Sequence, residues 1–159
     1  GMSCHATALR PTSRGTVRLA SRDIHQAPLI DPAFLSDPGD LETLIRGFKW
    51  VRKIFAQPAF ADYGGHDSSR ELYFSKVHSD EEIGQAIRER ADTIYHPVGT
   101  CRMGSDERAV VDTQLRVRGI ERLRVVDASV MPTLISGNTN APVIMIAEKA
   151  AALIKNIAH

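Results

Sequence analysis

The chain has 159 residues, a length typical of one domain or slightly more. Hydrophobic residues make up 43% of it and charged residues 25%, which excludes a long disordered tail, a collagen-like chain and a mucin-like chain. Twenty basic side chains against nineteen acidic ones leave a formal net charge of +1, so the chain lacks the excess charge that attracts a polyanion. We therefore expect no nucleic-acid partner and no binding to an anionic membrane surface.

The first third of the chain carries one strand signal and one strong helix signal. Residues 16–20 alternate apolar and polar side chains, as a half-buried strand does, and residues 21–37 have the prolines and aspartates of a loop. A helix is predicted over 38–57, because Asp37 is suited to cap it and Pro38 to occupy its first position. Apolar residues recur there every three or four positions, which predicts one buried face.

A second helix is predicted over 79–91, where Ser79 and Glu82 have the spacing of a capping box. Two short apolar runs, at 110–112 and 123–127, then predict strands joined through a turn.

The last helix is predicted over 140–157. Its apolar residues cover nearly every face, so we expect it to be largely buried.

Cysteine, metal and membrane signals are mostly negative. Cys4 and Cys101 allow one disulfide but no disulfide scaffold. The sequence has no HxxxH motif and no cluster of cysteine and histidine, so a metal site is not expected. The longest apolar run, residues 141–147, is far too short to span a bilayer, and the first residues lack the pattern of a signal peptide. We expect a cytoplasmic location.

Residues 95–100 form the first candidate site. His96 can accept a proton near neutral pH, Pro97 fixes its own backbone, and Gly99 permits a sharp turn, so the ring can be aimed precisely. On physical grounds alone, a structural or merely exposed histidine is the commoner outcome.

Two further segments combine turn residues with reactive side chains. Residues 138–142 precede the last helix, where Asn140 is suited to be the N-cap and the helix start favours an electron-rich ligand. Residues 127–132 follow a predicted strand and begin with Asp127, at a place where ligand contacts are common in α/β folds. The alternatives are an ordinary capped helix and a turn in which Asp127 bonds its own backbone, and each stays open when its segment is considered alone.

Together, these motifs resemble the C-terminal part of the glucose-methanol-choline (GMC) flavoprotein oxidoreductases, most of all the choline dehydrogenase and alcohol dehydrogenase branch. The resemblance covers nearly the whole chain and is most specific over residues 93–154. The segments that carry it include LRPTSRG at 9–15, YHPVGTCRMG at 95–104, LRVVDASVMP at 123–132 and NTNAP at 138–142.

The resemblance implies an enzyme that oxidises a primary alcohol to an aldehyde, with FAD as the hydride acceptor. It gives His96 the role of base toward the substrate hydroxyl, and Asn140 the role of holding the substrate oxygen. Both roles agree with the chemistry of the side chains. The cofactor-binding residues that it implies lie in the turn at 127 and at the start of the last helix: Asp127, Ala128, Asn138, Thr139 and Ala141.

The resemblance also implies an α+β fold, with an antiparallel sheet backed by helices as in the family's substrate-binding part. A C-terminal strand-helix segment would complete the FAD domain. We expect the substrate-binding region, which includes the histidine segment, to span residues 1–104 and the C-terminal segment to span 105–159.

One family feature is missing, since no segment carries the GxGxxG fingerprint that belongs to the family's Rossmann-like FAD half. We therefore expect this chain alone to bind FAD weakly or not at all, and to be inactive. The expected partners are the alcohol substrate, the missing FAD-binding half and a second copy of the chain, which would hide surface that the FAD half would cover. Two alternatives to this function stay open: a non-catalytic binding or assembly module of this fold, and one half of a split enzyme. The electron acceptor also stays open, between oxygen and a membrane or quinone acceptor.

Overall fold

The computed structural model of the protein describes residues 2–64 and 67–157. The chain forms two compact units. Unit 1 comprises residues 1–15 and 30–92, and unit 2 comprises residues 16–29 and 93–159. The boundary after residue 104 that the resemblance implies concerns the parts of the family fold, and it stays a prediction.

The two described strands form one short hairpin. Strand β1, Thr16–Arg18, pairs with β2, Leu29–Asp31, in a two-stranded antiparallel sheet, which together with the helices gives the α+β class that was predicted. The strand expected at 16–20 is present in a shorter form, whereas β2 lies in the stretch predicted as loop, because flanking prolines hide its signal. Gly15 is required beside β1, since a Cβ there would lie 2.1 Å from the backbone oxygen of Asp31.

Unit 1 contains the first long helix, and its start follows the sequence signals. Helix α1, Pro38–Phe55, begins as predicted after Asp37, whose carboxylate accepts a hydrogen bond from the N–H of Gly39 at 2.8 Å. The prediction that Asp37 caps a helix beginning at Pro38 is confirmed.

Helix α2, Asp80–Arg90, packs on α1 in the same unit. The predicted capping box is confirmed: the N–H of Glu82 donates to the hydroxyl of Ser79 at 3.1 Å, and the N–H of Ser79 donates to the carboxylate of Glu82 at 2.9 Å. Ile83 is almost fully buried, and Gly84 faces side chains of α1, so this face of α2 forms the contact.

Arg52, near the end of α1, fixes the chain between the two helices. Its guanidinium donates to both carboxylate oxygens of Glu71, at 2.8 and 2.7 Å, and to the backbone carbonyls of Phe74 at 2.8 Å and Val77 at 2.6 Å. It also lies 4.6 Å from the ring centre of Phe48. A single side chain thus holds a segment whose described residues, 56–64 and 67–79, form 3-10 turns but no α-helix or strand.

Asp40 is the other polar anchor of unit 1 and is only 7% exposed. Its carboxylate accepts hydrogen bonds from the N–H of Thr12 and the N–H of Ser13, each at 2.8 Å, and from the Ser13 hydroxyl at 2.5 Å. Burial raises the pKa of Asp40, but these hydrogen bonds and the nearby charge of Arg14 outweigh it and lower the pKa below its ordinary value. The motif at 9–15 therefore folds around a buried carboxylate.

Unit 2 has an apolar core built from three parts of the chain. Two parts are non-helical segments, near residues 111–115 and 130–131, and the third is helix α3, Asn140–Ile157. The buried residues of this core are Val111, Leu115, Val130, Met131, Ile146 and Ala150.

The strands predicted at 110–112 and 123–127 do not form continuous strands in the described part of unit 2. Antiparallel pairing there is limited to two isolated bridges, Val111–Val117 and Arg116–Arg124. Leu115 and Arg122 both adopt left-handed backbone angles, with φ of 64° and 62°. Both residues lie between the two predicted strands, where they turn the chain away from the extended path that a longer ladder needs. Pairing is therefore limited to single bridges, and the strand prediction is wrong for this segment.

Helix α3 has the predicted bounds but not the predicted burial. Ile146 is 7% exposed and faces the core, whereas Ile144 and Met145 are 55% and 59% exposed. The expectation of a largely buried helix is therefore wrong for this chain, in which α3 buries one face. Over the residues that the structure describes, no helix has the length and apolar character needed to cross a membrane.

The two cysteines, Cys4 and Cys101, are both free thiols, so the disulfide that their number allows does not form.

Candidate functional site

His96 lies at a constrained corner of the backbone in unit 2. Tyr95, just before it, has a positive φ of 64°, which is uncommon for a residue with a side chain, and Pro97 follows it. The chain then turns at Gly99, where φ is 91° and the carbonyl accepts the N–H of Arg102 at 3.2 Å. These constraints restrict the backbone on both sides of the half-buried histidine.

The His96 ring contacts the residue that precedes α3. Its Nδ1 atom lies 3.0 Å from the hydroxyl oxygen of Thr139, a hydrogen-bond distance, although the two residues are 43 positions apart in the chain. Thr139 is only 7% exposed, so water competes little for this contact. The contact joins the histidine segment to the start of α3.

Helix α3 starts where predicted, but its N-cap lies one residue before the predicted one. Asn140 is the first helical residue, and the N–H of Val143 donates to the carbonyl of Thr139 at 3.0 Å, so Thr139 occupies the capping position expected for Asn140. Asn138, Asn140 and Ala141 are all exposed. An exposed helix start with free backbone N–H groups and two amide side chains offers hydrogen-bond donors and the positive end of a dipole.

Asp127 opens a short 3-10 turn, Ala128–Val130, and accepts hydrogen bonds from both the N–H and the hydroxyl of Ser129. The carboxylate thus bonds its own turn, the ordinary alternative considered above, while the residue as a whole remains exposed. Ala128 is half-buried behind it.

Backbone hydrogen bonds join this turn to the histidine segment. The N–H of Cys101 donates to the carbonyl of Ser129 at 3.1 Å, and the N–H of Met103 donates to the carbonyl of Val130 at 2.8 Å. All the predicted site residues therefore lie in unit 2, on three segments tied by direct contacts.

The sequence patterns did not predict the contacts that join these three segments. The family resemblance implies that Thr139 binds the cofactor, and nothing in a linear pattern indicates that its hydroxyl meets a histidine 43 positions away. A local signal is Pro142, which removes an N–H that a capping threonine often binds and so leaves the hydroxyl for another partner.

The open cavity described in unit 2 lies elsewhere. It has a volume of about 520 Å³ and is lined by Asp112 and residues 116–122, and none of the predicted site residues contributes to it. His96 is half-buried and Asn138 and Asn140 are exposed, so the described residues of unit 2 place these side chains at the surface.

Comparison with known proteins gives consistent matches over most of the chain. A family model described as GMC oxidoreductase matches residues 11–147. An alcohol dehydrogenase [acceptor] from Pseudomonas putida is 53% identical over 97% of this chain and 27% of its own length. An oxygen-dependent choline dehydrogenase from Proteus mirabilis is 45% identical over 99% of this chain and 28% of its own length. The crystal structure of pyridoxine 4-oxidase from Mesorbium loti superposes with a TM-score of 0.83 at 36% identity, covering 95% of this chain and 28% of that one.

The chain spans little more than a quarter of the length of these relatives. The matched region of the solved structures is the C-terminal part of their chains. The chain therefore belongs to the GMC oxidoreductase family and corresponds to the C-terminal part of its members.

Proposed function

We propose that this chain is the catalytic C-terminal part of an FAD-dependent enzyme that oxidises a primary alcohol to an aldehyde. The observation that carries the proposal is the contact between His96 and Thr139, because it holds a proton-accepting ring beside the start of α3. Support also comes from the relative named alcohol dehydrogenase [acceptor], which is 53% identical to this chain. The substrate class is thus a small alcohol, with a choline-like alcohol as the narrower option.

In this proposal His96 accepts the proton of the substrate hydroxyl at a ring nitrogen. Removing that proton turns the carbinol carbon into a much better hydride donor, which is why a positioned base accelerates the reaction. The exposed amide of Asn140 donates a hydrogen bond to the same oxygen and stabilises the charge that develops on it.

The start of α3 suits the polar edge of a flavin. FAD, when bound, supplies the hydride acceptor. Asn138 and Asn140 present exposed amides, Ala141 adds little bulk, and nothing lies within 4 Å of the place that a Cβ on Gly137 would occupy. These amides and the N–H groups at the helix start are hydrogen-bond donors, so they suit the carbonyl oxygens of a flavin and the negative charge of its reduced ring.

The turn at Asp127 suits a hydroxyl rather than a phosphate. One of its carboxylate oxygens accepts the two hydrogen bonds from Ser129, and the other is available to accept from a ribityl hydroxyl. A carboxylate repels a pyrophosphate, so contacts to phosphate in this region would fall to backbone N–H groups such as that of Ala128.

We propose that the chain is incomplete by itself, so that it binds FAD weakly or not at all and does not turn over alcohol alone. The partner is the FAD-binding half, and the exposed Ile144 and Met145 of α3 are suited to pack against it. A second copy of this chain is the other partner to test at this surface of α3. The cytoplasmic location, or a membrane association through the electron acceptor, belongs to this proposal and is tested by cell fractionation.

The experiment has two stages. The purified chain is titrated with FAD by calorimetry and by flavin fluorescence, and we expect no saturable binding. It is then co-expressed with the FAD-binding part of the Pseudomonas putida relative, and primary alcohols are tested by reduction of an artificial electron acceptor. Turnover by the chain alone would contradict the proposed incompleteness, and no turnover in either stage would favour a non-catalytic module.

The histidine variant tests the assigned role. His96→Gln should lower kcat/KM of the assembled enzyme by roughly 10²–10⁴-fold, because a general base contributes about that much. The matched control is His25→Gln, an exposed histidine of the same unit, which should leave the rate unchanged. Equal rates for the two variants would rule out the base role of His96.

A further inference from the structure

We infer that Thr139 is a positioning residue for His96, because its hydroxyl accepts the Nδ1–H of the ring and leaves Nε2 as the nitrogen with the free lone pair. The inference rests on the proposed function, since it is the base role that requires a lone pair directed at the alcohol. It goes beyond that function by naming the group that sets which ring nitrogen reacts.

The hydroxyl oxygen of Thr139 is available because its own helix makes little use of it. A threonine before a helix usually accepts a hydrogen bond from the N–H two or three positions inside the helix. Here the third helical residue is Pro142, which has no N–H, and the Thr139 side chain instead meets Nδ1 of His96 at 3.0 Å. Burial of Thr139 keeps water from replacing the imidazole.

The direction of this hydrogen bond decides what the ring can do. A hydroxyl can donate or accept, so a distance of 3.0 Å fits either neutral form of His96. If Thr139 donated to Nδ1, the ring proton would sit on Nε2, and Nε2 would have no lone pair for the substrate proton. If Nδ1–H donates to Thr139, Nε2 is free to react.

Only a hydrogen bond from Nδ1–H to Thr139 stays unchanged when the ring accepts the substrate proton. The O–H bond of the alcohol breaks and an N–H bond forms at Nε2, which makes the ring an imidazolium that carries a proton on both nitrogens. Nδ1–H still donates to Thr139, now as a stronger, charge-assisted hydrogen bond. The same contact therefore orients the neutral ring before the step and stabilises the cation after it, with no movement of either side chain.

The test is a ¹⁵N NMR measurement of the His96 ring in the 159-residue chain, without FAD or alcohol, at a pH where the imidazole is neutral. Protonated and bare ring nitrogens have well-separated chemical shifts, so the spectrum reports the tautomer directly. Four proteins are compared: the unaltered chain, Thr139→Val, Thr139→Ser and Thr113→Val. Thr113 is an exposed threonine of the same unit and is the matched control.

We expect a protonated Nδ1 and a bare Nε2 in the unaltered chain, in Thr139→Ser and in Thr113→Val. In Thr139→Val the signals should shift toward the form protonated at Nε2. A ring protonated at Nε2 in the unaltered chain would overturn the inference, and so would an unchanged Nδ1–H tautomer in a folded Thr139→Val chain. If Thr139→Val does not fold, the unaltered chain and Thr139→Ser still decide the outcome.

This readout is independent of alcohol oxidation. The expected tautomer pattern together with an inactive assembled enzyme would refute the proposed function and leave the positioning contact in place. An active assembled enzyme with the opposite tautomer would refute the positioning role alone.

Discussion

The two units use polar side chains for opposite purposes. In unit 1, the buried Asp40 and the partly exposed Arg52 are charged residues that each bind several backbone groups of a segment with little regular structure. In unit 2 the core is apolar, and the polar residues at the start of α3 remain exposed apart from Thr139, which holds His96. A buried charge avoids the cost of desolvation when its hydrogen bonds are made inside the fold, so removing its partners is costly, whereas exposed donors remain available for a ligand.

Among the variants that test this difference between the units, Asp40→Asn is expected to lower the free energy of unfolding most. The amide would place an NH₂ group where the carboxylate now accepts from Thr12 and Ser13, so at least one buried N–H would lose its acceptor. We expect the free energy of unfolding to fall by about 3 kcal/mol, the range for losing hydrogen bonds to a buried charge. Urea unfolding, with hydrogen exchange of the α1 amides, measures it.

The control for this variant is Glu42→Gln, an exposed carboxylate of the same helix, which should stay within about 0.5 kcal/mol of the unaltered chain. Equal stability of Asp40→Asn and Glu42→Gln would show that the buried carboxylate does not hold the motif at 9–15.

The same anchor predicts a dependence on pH. The pKa of Asp40 is lowered in the folded chain, since its hydrogen bonds outweigh the effect of burial. Its stabilisation is therefore fully present above the unfolded pKa, about 4, and is lost as the pH falls through the lower folded pKa. Amide protection in α1 should weaken below about pH 4 in the unaltered chain, and this part of the pH dependence should be absent from Asp40→Asn. Identical acid profiles for the two proteins would contradict it.

How well the sequence predicts each region follows from where its signals lie. The helices α1 and α2 were predicted nearly to the residue because their caps, Asp37 and the pair Ser79 and Glu82, act within a few positions. The bounds of α3 were also predicted, although its cap is Thr139 and not Asn140. Its burial was not predicted, because composition shows how apolar a helix is and not what covers it.

The candidate site illustrates the same limit. The three site segments could be chosen from their residues and from the family resemblance, and all of them lie in unit 2. The contact of His96 with Thr139, and the backbone hydrogen bonds from Cys101 and Met103, join positions far apart in the chain. Local patterns carry no information on such pairs, and they do not reveal the left-handed residues Leu115 and Arg122, which lie between the two predicted strands.

A third prediction tests whether unit 2 depends on one face of α3. Ile146→Ala should lower the stability by about 2 kcal/mol, because it leaves a cavity beside the buried core residues. Ile144→Ala, two positions earlier on the exposed face, should cost no more than about 0.5 kcal/mol. The exposed fractions of 7% and 55% are the basis of this difference. Thermal unfolding followed by circular dichroism compares the two, and a larger loss for Ile144 would mean that another copy of the chain covers the outer face.

The smallest effect expected is that of Arg52→Lys, which separates charge from geometry in unit 1. Lysine keeps the positive charge near Glu71 but cannot bind both carboxylate oxygens and two carbonyls with one planar group. The pair is partly exposed, so we expect a loss of about 1 kcal/mol in urea unfolding. The control Arg46→Lys changes an exposed arginine of the same helix and should be neutral. If both variants were neutral, charge alone would hold the segment at 71–77, and the guanidinium geometry would add nothing to unit 1 beyond what any cation supplies.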